Sequence, residues 1–190
     1  MYYIWKHTVD GSTKFFTCGI EEFEGWRRIG WLSGKKIEKT LPQILHYLTS
    51  SKKMKPEDFP RTGGTQFLIS KKIANIIKRI NPDNIDYYDS DIIRPDGVIL
   101  KDYYTINILN VLDCTDWNKT DFEIEKLGPA EIIKFNKLIL DVDKIPINNK
   151  LFRLYKSETI LIAHESIKEA FEKENVIGVH FIPISEYRDY

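Results

Sequence analysis

The hydrophobic pattern near the C-terminal end of the chain predicts a strand, a helix and a second strand. Residues 159–163 form a short apolar run without charges, which is typical of a strand buried on both faces. Apolar side chains then recur at helical spacing from Ile167 to Phe171, and Gly178 marks the end of this helix. The next strand covers residues 179–184.

The same pattern occurs once more in the middle of the chain. Residues 66–70 align with residues 160–164, and the apolar helix positions after Ser70 align with those after His164. Both copies continue through an asparagine into a second extended segment, which covers residues 85–93 in the first copy. Two copies are too few for a solenoid. The pattern therefore indicates either one common supersecondary unit used twice or an internal duplication.

The N-terminal part predicts a β-hairpin followed by a short helix. Residues 2–5 and 15–18 are aromatic-rich runs on either side of the turn sequence at residues 10–12. Apolar residues at helical spacing then predict a helix over residues 40–50, with Gln43 in the position of a capping box.

Together these elements predict an α/β or α+β fold. The expected architecture is a mixed β-sheet with two similar strand–helix–strand units packed on it, plus the N-terminal hairpin and the short helix. A chain of 190 residues is long enough for one sizeable core. Residues 51–65, with their prolines and glycines, are the best linker candidate. We expect a single compact domain over residues 1–190, with residues 1–65 as a candidate N-terminal lobe beside residues 66–190.

Composition is that of an ordinary globular chain, with 29% charged and 42% hydrophobic residues. No uncharged apolar run approaches the roughly 20 residues of a membrane span, and the N-terminus lacks the apolar region of a signal peptide. We therefore expect a cytoplasmic protein with no membrane partner. Cys18 and Cys114 are too few for a disulfide framework, so we expect two reduced thiols packed as small apolar groups.

The net charge is zero, but the charges are unevenly distributed along the chain. Residues 1–80 contain 15 basic and 7 acidic residues, a net charge of +8, and residues 81–190 contain 13 basic and 21 acidic residues, a net charge of −8. A surface of one sign steers oppositely charged partners toward it. The two parts could equally complement each other within the folded protein, so both interpretations stay open.

Four aspartates lie close together after the first predicted helix: Asp83, Asp86, Asp89 and Asp91. Clustered carboxylates can hold Mg or Ca, because hard cations prefer oxygen ligands, and a small divalent-metal-dependent enzyme is one interpretation. The spacing lacks the glycine and the terminal glutamate of an EF-hand loop, and a strand would place alternate residues on opposite faces. A solvated acidic edge explains the same residues.

A second acidic stretch surrounds two aromatic residues. Residues 113–125 follow a strand predicted over residues 103–111 and combine five carboxylates with Trp117 and Phe122. An aromatic anchor surrounded by acidic groups is a common composition for an interface hot spot. Trp117 could equally be a core residue that caps the sheet.

Basic residues of the N-terminal part suggest a nucleic-acid-binding module as a further alternative. Trp26 and Trp31 flank two arginines and could stack on bases. The other interpretation packs these rings beneath the hairpin and leaves the arginines in solvent. The basic residues concerned are Arg27, Arg28, Lys35, Lys36, Lys52 and Lys53.

No motif of a common catalytic or cofactor site occurs in the sequence. The patterns GxGxxG, GxxxxGK[ST], GxSxG and HExxH are all missing. The four histidines are not spaced as metal ligands, and Cys114 has no sequence cue to a histidine partner. We expect a protein that is not an enzyme and has no cofactor and no bound metal.

Arg153 is the basic side chain in the otherwise apolar block LFRL at residues 151–154. An unpaired buried guanidinium is costly. We therefore expect Arg153 either to reach solvent or to pair with a carboxylate such as Asp141.

The block LFRL, the apolar strand and Ala-Phe helix after it, Gly178 and the closing FIPI at residues 181–184 also carry a family resemblance. Over residues 66–184 the chain resembles immunity family eleven, a bacterial family once catalogued as a domain of unknown function. Genes of that family lie beside polymorphic toxin genes. Residues 1–65 show no such resemblance.

The resemblance implies that the protein binds a cognate protein toxin and covers its active site or substrate path. The acidic second part supports this, because toxins that attack nucleic acids are often basic where they bind phosphate. Nucleic acid is not expected as a partner, and the sequence does not indicate an oligomeric state. The candidate partner-binding residues are Asp83, Asp86, Asp89, Asp91, Asp113, Asp116, Trp117, Asp121, Phe122 and Glu123.

Overall fold

A computed structural model describes residues 1–8, 17–23, 29–49, 57–80, 83–128 and 130–189. The predicted mixed α/β class is confirmed, and strands predominate. Two short 3-10 turns cover Val142–Lys144 and Ile184–Glu186. The strands are β1 (Tyr2–His7), β2 (Thr17–Ile20), β3 (Ile44–Leu48), β4 (Arg61–Thr62), β5 (Phe67–Ser70), β6 (Ile85–Ile93), β7 (Ile99–Ile108), β8 (Val111–Leu112), β9 (Asp121–Leu127), β10 (Ala130–Lys137), β11 (Leu151–Leu154), β12 (Ser157–His164) and β13 (Val179–Pro183), and the helices are α1 (Lys71–Ile80) and α2 (Glu165–Lys173).

The strands form two larger sheets and one ribbon. The five-stranded sheet has the order β13-β1-β12-β11-β8, and the six-stranded sheet has the order β4-β2-β3-β6-β7-β5. Strands β9 and β10 pair with each other as an antiparallel ribbon. The chain therefore distributes its strands over two sheets instead of the single mixed sheet that the sequence predicted.

Each helix connects two strands that lie on either side of a third strand. Strands β5 and β6, which flank α1 in the chain, both pair antiparallel with β7. Strands β12 and β13, which flank α2, both pair antiparallel with β1. The side chain of His164 accepts a hydrogen bond from the backbone N–H of Ser166 (3.2 Å) and so caps the start of α2.

One apolar core joins both helices to both sheets. It contains Ile73 and Ile77 of α1, Ile167 and Phe171 of α2, and Trp5 of β1, together with buried residues of β5, β6, β7, β11 and β12. Because a helix buries its apolar stripe against a neighbouring element, this shared core fixes the position of the two sheets relative to each other.

Strand β12 is buried on both faces, as its uninterrupted apolar sequence predicts. Leu161 and Ala163 face the shared core, and Ile160 and Ile162 face a second core on the opposite side of the sheet. Side chains of a strand alternate between its two faces, so only a continuous apolar run can fill a core on each side.

The second core lies between the five-stranded sheet and the β9–β10 ribbon. It contains Phe152 of β11, Phe135 of β10, Cys114 and Tyr187. On the six-stranded sheet, two smaller clusters include Cys18 and Trp31. Both cysteines are free and buried, which confirms that they pack as reduced thiols. Neither α-helix of the described ranges has the length and apolar character that crossing a membrane requires.

The predicted N-terminal hairpin is wrong. Strand β1 lies between β12 and β13, while β2 pairs with β3 and β4 in the other sheet. The predicted turn at residues 10–12 lies outside the described residues. Ile4 and Trp5 of β1 enter different cores, and a strand that is buried on both faces belongs inside a sheet rather than in an edge hairpin.

The predicted helix over residues 40–50 is also wrong, because Ile44–Leu48 forms strand β3. Ile44 and Leu48 are buried on the same side as His46, whereas Tyr47 is exposed. The sequence ILHYL fits a period of two as well as a helical period, and pairing with β2 and β6 decides between them. The predicted capping residue Gln43 instead donates a hydrogen bond to Asp91 (2.8 Å).

The two alternatives expected for Arg153 are both wrong. Its side chain is fully buried, and its guanidinium donates to the backbone carbonyl of Glu158 (2.7 Å) instead of reaching a carboxylate. Asp141 pairs with Lys144 (3.5 Å). The ring of Phe67 lies 4.9 Å from the guanidinium carbon, which adds a cation–π contact to the hydrogen bond.

Candidate partner-binding surfaces

The ten candidate residues form two groups that lie on different sheets. Asp86, Asp89 and Asp91 are on β6 of the six-stranded sheet, and Asp83 precedes this strand. The residues from 113 to 123 lie beside the second core, where the chain leaves β8 and enters the ribbon. We name these sets the β6 aspartates and the Trp117 surface. Within the described part of the chain, no hydrogen bond, ion pair or ring contact joins a member of one set to a member of the other.

The β6 aspartates do not converge on one point. Strand alternation places Asp86 and Asp89 on opposite faces of β6. Asp86 accepts a weak hydrogen bond from the hydroxyl of Tyr88 (3.5 Å), and Asp91 accepts one from Gln43. Within the described ranges, no group of three or more histidine, cysteine, aspartate or glutamate residues could hold a metal ion.

Trp117 is half-buried at the centre of the second surface. Its ring packs edge-to-face on Phe122 (centroids 5.3 Å apart) and stacks on Phe135 (6.4 Å). The ammonium of Lys156 lies 5.5 Å from the ring centroid, and the indole N–H donates to Asp113 (3.4 Å). The ring therefore packs on the second core and is also partly exposed, and the interface interpretation of Trp117 stays a prediction.

Acidic residues precede and follow Trp117 in the chain. Asp113, Asp121 and Glu123 are exposed, and Asp116 pairs with Lys119 (2.7 Å). The hydrogen bond from Lys119 holds the pKa of Asp116 below its ordinary value. Along β9, Asp121 and Glu123 alternate with Phe122, so strand geometry places them on the face of the ribbon opposite to the face that packs on Trp117.

The ribbon beside Trp117 carries exposed apolar residues that sequence reasoning did not select. Ile124 is 54% exposed and Ile132 is 43% exposed. Ile124 pairs with Ile133 and Ile132 pairs with Glu125, so the two exposed isoleucines lie on opposite faces of the ribbon. The sequence DFEIEK could have indicated that Ile124 is exposed. It places this isoleucine between Glu123 and Glu125, while Phe122 of the same strand packs on Trp117.

The basic residues proposed for nucleic-acid binding are only partly described. Arg27, Arg28, Lys52 and Lys53 lie outside the described residues, as does Trp26. Lys35 and Lys36 are exposed, and the backbone carbonyl of Lys35 accepts a hydrogen bond from Asn107 (2.9 Å). Trp31 is buried and packs edge-to-face on Tyr88, so it forms part of a core rather than a base-stacking surface.

Burial changes the pKa of both thiols and of two histidines. Burial raises the pKa of the Cys114 thiol to about 11 and that of the Cys18 thiol to about 12. Burial lowers the pKa of His46 and His7 to about 4. A thiol attacks as its thiolate, which neither cysteine forms readily at pH 7.

An apolar groove of about 620 Å³ lies beside the second core. Leu138, Leu140, Val142 and Ile184 contribute to its lining. A smaller polar pocket of about 380 Å³ lies where α1 ends and β6 begins, and it includes Asp83 among its lining residues. Of the ten candidate residues, Asp83 lines this pocket.

Comparison with known proteins places the chain in a family. No curated protein matches the sequence. A sequence model of the immunity protein family (Imm11) matches residues 20–186. This match begins well before residue 66, so β3 and β4 fall within the family match although the sequence resemblance did not reach them. The chain belongs to the Imm11 immunity protein family.

Proposed function

We propose that the protein is a cytoplasmic immunity protein that binds a cognate bacterial toxin and covers its active site or substrate path. The observation that carries this proposal is the family match over residues 20–186. The toxin would be the product of a gene beside that of the immunity protein. Inhibition would require binding alone, with no covalent step by the immunity protein.

The Trp117 surface is the contact that we assign to the toxin. Hot spots commonly combine a partly packed aromatic ring with polar groups at its edge. Here Phe122 and Phe135 hold the Trp117 ring in one orientation, so little rotamer entropy is lost on binding. The exposed Ile124 lies two residues from Phe122 on the same face of the ribbon and extends the apolar part of this surface.

Electrostatics support a basic toxin surface as the complement. Residues 81–190 carry a net charge of −8, Asp113 is exposed and accepts a hydrogen bond from Trp117, and Asp121 and Glu123 are exposed on the neighbouring ribbon. Charges at the rim of an interface speed association more than they tighten the final complex. The β6 aspartates, on the other sheet, would add to the long-range field.

The two free cysteines support a location in the cytoplasm. Cys18 and Cys114 are reduced and buried in separate clusters, as in proteins that fold where thiols stay reduced. A toxin that acts inside the producing cell would meet its inhibitor there.

The test is co-expression of the chain with the toxin encoded beside its gene, followed by co-purification and a binding titration. We expect survival of the co-expressing cells and a stable complex. Continued killing without a detectable complex would refute the proposal.

The surface assignment is tested by reversing charge at Asp121 and Glu123, which are exposed and do not hold the fold. Asp121→Lys with Glu123→Lys should slow association about tenfold or more at low salt, because two attractive rim charges become repulsive. The double change Glu38→Lys with Glu169→Lys, at two exposed carboxylates outside the ribbon, alters net charge equally and is the control. An equal decrease of the association rate in both variants would show that only the net charge matters and would rule out the Trp117 surface as the contact.

A further inference from the structure

Strand β9 has one edge that no other strand covers within the described part of the chain. It pairs with β10 on one side, and with seven residues it is longer than the outer strands of the two sheets, β4, β5, β8 and β13. We call the side of Asp121–Leu127 that points away from β10 the β9 edge. An uncovered edge presents a row of N–H and C=O groups that can pair with another chain.

The opposite edge of the ribbon is covered at Phe135 by the C-terminal residue Asp189. The backbone N–H of Asp189 donates to the carbonyl of Phe135 (2.9 Å), and the N–H of Phe135 donates to the Asp189 carboxylate (3.2 Å). Both backbone groups of Phe135 therefore point away from β9. Because Phe135 lies opposite Phe122 in the register, these two residues form a pair without mutual backbone hydrogen bonds.

This register fixes which backbone groups of β9 point outward. Bonded and non-bonded pairs alternate along an antiparallel ribbon, so the pair Ile124–Ile133 is again non-bonded. Glu123 and Glu125, in the alternate positions, exchange hydrogen bonds with β10. The N–H and C=O groups of Phe122 and Ile124 therefore belong to the β9 edge. Among the described residues, neither has a backbone hydrogen bond to another segment.

The side chains along the β9 edge define the chemistry of an added strand. One face of β9 has Phe122 and the exposed Ile124, and the other face has three carboxylates. Glu125 pairs with Lys134 of β10 (2.6 Å), whereas Asp121 and Glu123 form no ion pair within the described ranges. Side chains of a neighbouring strand lie about 5 Å from those they oppose. Apolar residues therefore fit one face of β9, and basic residues fit the other.

The same carboxylates make a second copy of the chain a poor occupant. Pairing of two β9 edges would bring acidic side chains opposite each other, and like charges in directly opposite positions are unfavourable. Charged residues on an edge strand protect it against copies of itself in this way. They give no protection against a basic strand. The charge of β9 therefore selects a partner of opposite sign.

We propose that the β9 edge pairs with an extended strand of the toxin whose residues alternate between basic and apolar. The inference rests on the proposed function for the existence of a toxin, and it specifies how that partner engages the ribbon beside Trp117. Backbone hydrogen bonds to Phe122 and Ile124 contribute affinity, and the side chains on the two faces contribute selectivity. The added strand also covers the exposed side chain of Ile124.

The test is hydrogen exchange by NMR on the full ¹⁵N-labelled chain, alone and bound to the toxin encoded beside its gene. In the free protein, the amides of Glu123 and Glu125 should exchange more slowly than those of Phe122 and Ile124, because only the first two bond to β10. In the complex, exchange at Phe122 and Ile124 should slow about tenfold or more, because these amides acquire acceptors. Unchanged exchange at both in a stable complex would overturn the inference and leave the proposed function in place.

Two substitutions at Ile124 distinguish backbone pairing from a side-chain contact. Ile124→Pro removes the outward N–H, and an edge strand tolerates proline where its N–H faces solvent. Ile124→Ala keeps the N–H and is the matched control. Ile124→Pro should weaken toxin binding about tenfold or more relative to Ile124→Ala, because a hydrogen bond is lost and the ring hinders close approach. Thermal denaturation checks that both variants are folded.

The outcomes separate this inference from the proposed function. Equal toxin binding by the two variants would overturn the strand pairing while leaving the proposed function in place. A dimer of the free chain that Ile124→Pro dissociates would overturn it by showing that a second copy covers the β9 edge. A wild type that forms no toxin complex would refute the proposed function, and the inference with it. The exchange measurement needs no substitution, so it decides the question even if Ile124→Pro does not fold.

Discussion

Arg153 is a permanent charge enclosed by the protein. Burial lowers the pKa of its guanidinium to about 10. One nitrogen donates to the carbonyl of Glu158, but Nε and one terminal nitrogen have no hydrogen-bond partner within the described part of the chain. The contact with Phe67 recovers some of the lost solvation. Arg153 therefore contributes packing volume at the cost of an incompletely solvated charge.

Replacing Arg153 by methionine should leave the free energy of unfolding unchanged or raise it by about 1–2 kcal/mol. Methionine has a flexible apolar side chain that can occupy much of the same space, and the buried unpaired N–H groups are removed. Urea denaturation followed by circular dichroism measures the change.

Arg153→Ala is the control, because it removes the same charge but leaves a cavity beside Phe67. It should lower the free energy of unfolding by about 2–5 kcal/mol. A methionine variant as unstable as the alanine variant would show that the guanidinium stabilises the fold through its hydrogen bond and its ring contact.

His46 is a second buried polar residue, and its environment should make the stability of the protein depend on pH. One ring nitrogen is 3.0 Å from the hydroxyl of Thr105, which is in turn 2.8 Å from the hydroxyl of Ser90. The other ring nitrogen has no hydrogen-bond partner among the described residues. Protonation would place an N–H in this site without an acceptor, and burial lowers the pKa to about 4 from an ordinary value of 6.5.

His46 should therefore make the protein less stable in mild acid. Between pH 6.5 and about 4 the unfolded chain binds a proton at this position and the folded chain does not, so the stability is complete above pH 6.5 and falls as the pH falls toward 4. At roughly 1.4 kcal/mol for each pKa unit, the loss is about 3 kcal/mol. Burial of His7, whose pKa is also about 4, adds a similar dependence.

Chemical denaturation of the wild type and of His46→Gln at several pH values measures this effect. The variant should show a smaller loss of stability between pH 6.5 and 4, because its amide does not titrate. His180→Gln controls for removal of an exposed imidazole. Parallel curves for the wild type and His46→Gln would contradict the assignment.

At the scale of elements, the sequence predicted helices and strands correctly where the hydrophobic pattern fitted only one type of secondary structure. Helix α2, with His164 at its start, and strand β12 lie where periodicity and the uncharged run placed them. Strand β3 was mistaken for a helix because five residues cannot distinguish the two periods, and its pairing partners come from distant parts of the chain. Pairing of this kind is a tertiary property that local propensity does not contain.

The sequence suggested which residues belong to the candidate surfaces but not how these residues are arranged in space. The packing of Trp117 on Phe122 follows from their nearness in the chain, while the contact with Phe135 depends on the ribbon. The polar pocket where α1 ends could not be predicted, because the asparagines that line it come from three separate segments that meet only in the folded protein. The separation of the β6 aspartates from the Trp117 surface follows from a division into two sheets that hydropathy does not reveal.

Gly178 is an element boundary whose substitution should be costly. It joins α2 to β13 with φ +88°, and an added Cβ would lie 3.0 Å from the backbone oxygen of Phe59 and 3.1 Å from the Cβ of Glu57. Gly178→Ala should lower the free energy of unfolding by about 1–3 kcal/mol, because the backbone is strained and the neighbours are in contact. Thermal and urea denaturation measure this loss.

Alanine substitutions at two other glycines distinguish the effect of backbone strain from the effect of a close contact. Gly97 has φ +81° with no atom within 4 Å of an added Cβ, so Gly97→Ala should show the backbone strain of about 1–2 kcal/mol alone. Gly63 has neither feature, and Gly63→Ala should change stability by less than about 0.5 kcal/mol. If Gly178→Ala were no worse than Gly97→Ala, the contact with Phe59 would have no energetic effect.

At the scale of the whole molecule, the two sheets share one core, and we propose that residues 1–190 form one domain. The alternative is a separate N-terminal lobe over residues 1–65. Strand β1 belongs to the five-stranded sheet and β2 to β4 belong to the six-stranded sheet, so the N-terminal residues pair with strands from across the chain. Burying apolar residues of both sheets in one cluster couples their unfolding, because neither sheet can expose its face without exposing the other.

The two thiols allow the unfolding of each sheet to be followed separately. Cys18 lies in a cluster of the six-stranded sheet, and Cys114 lies in the core beside the five-stranded sheet. Both are buried, and burial raises the pKa of each, so a thiol reagent should modify them only after unfolding. Brief labelling across a urea series, with mass spectrometry of the peptides, should give the same midpoint for both cysteines. Ile77→Ala in the shared core should lower the two midpoints together, whereas earlier exposure of Cys18 would establish a separate N-terminal lobe.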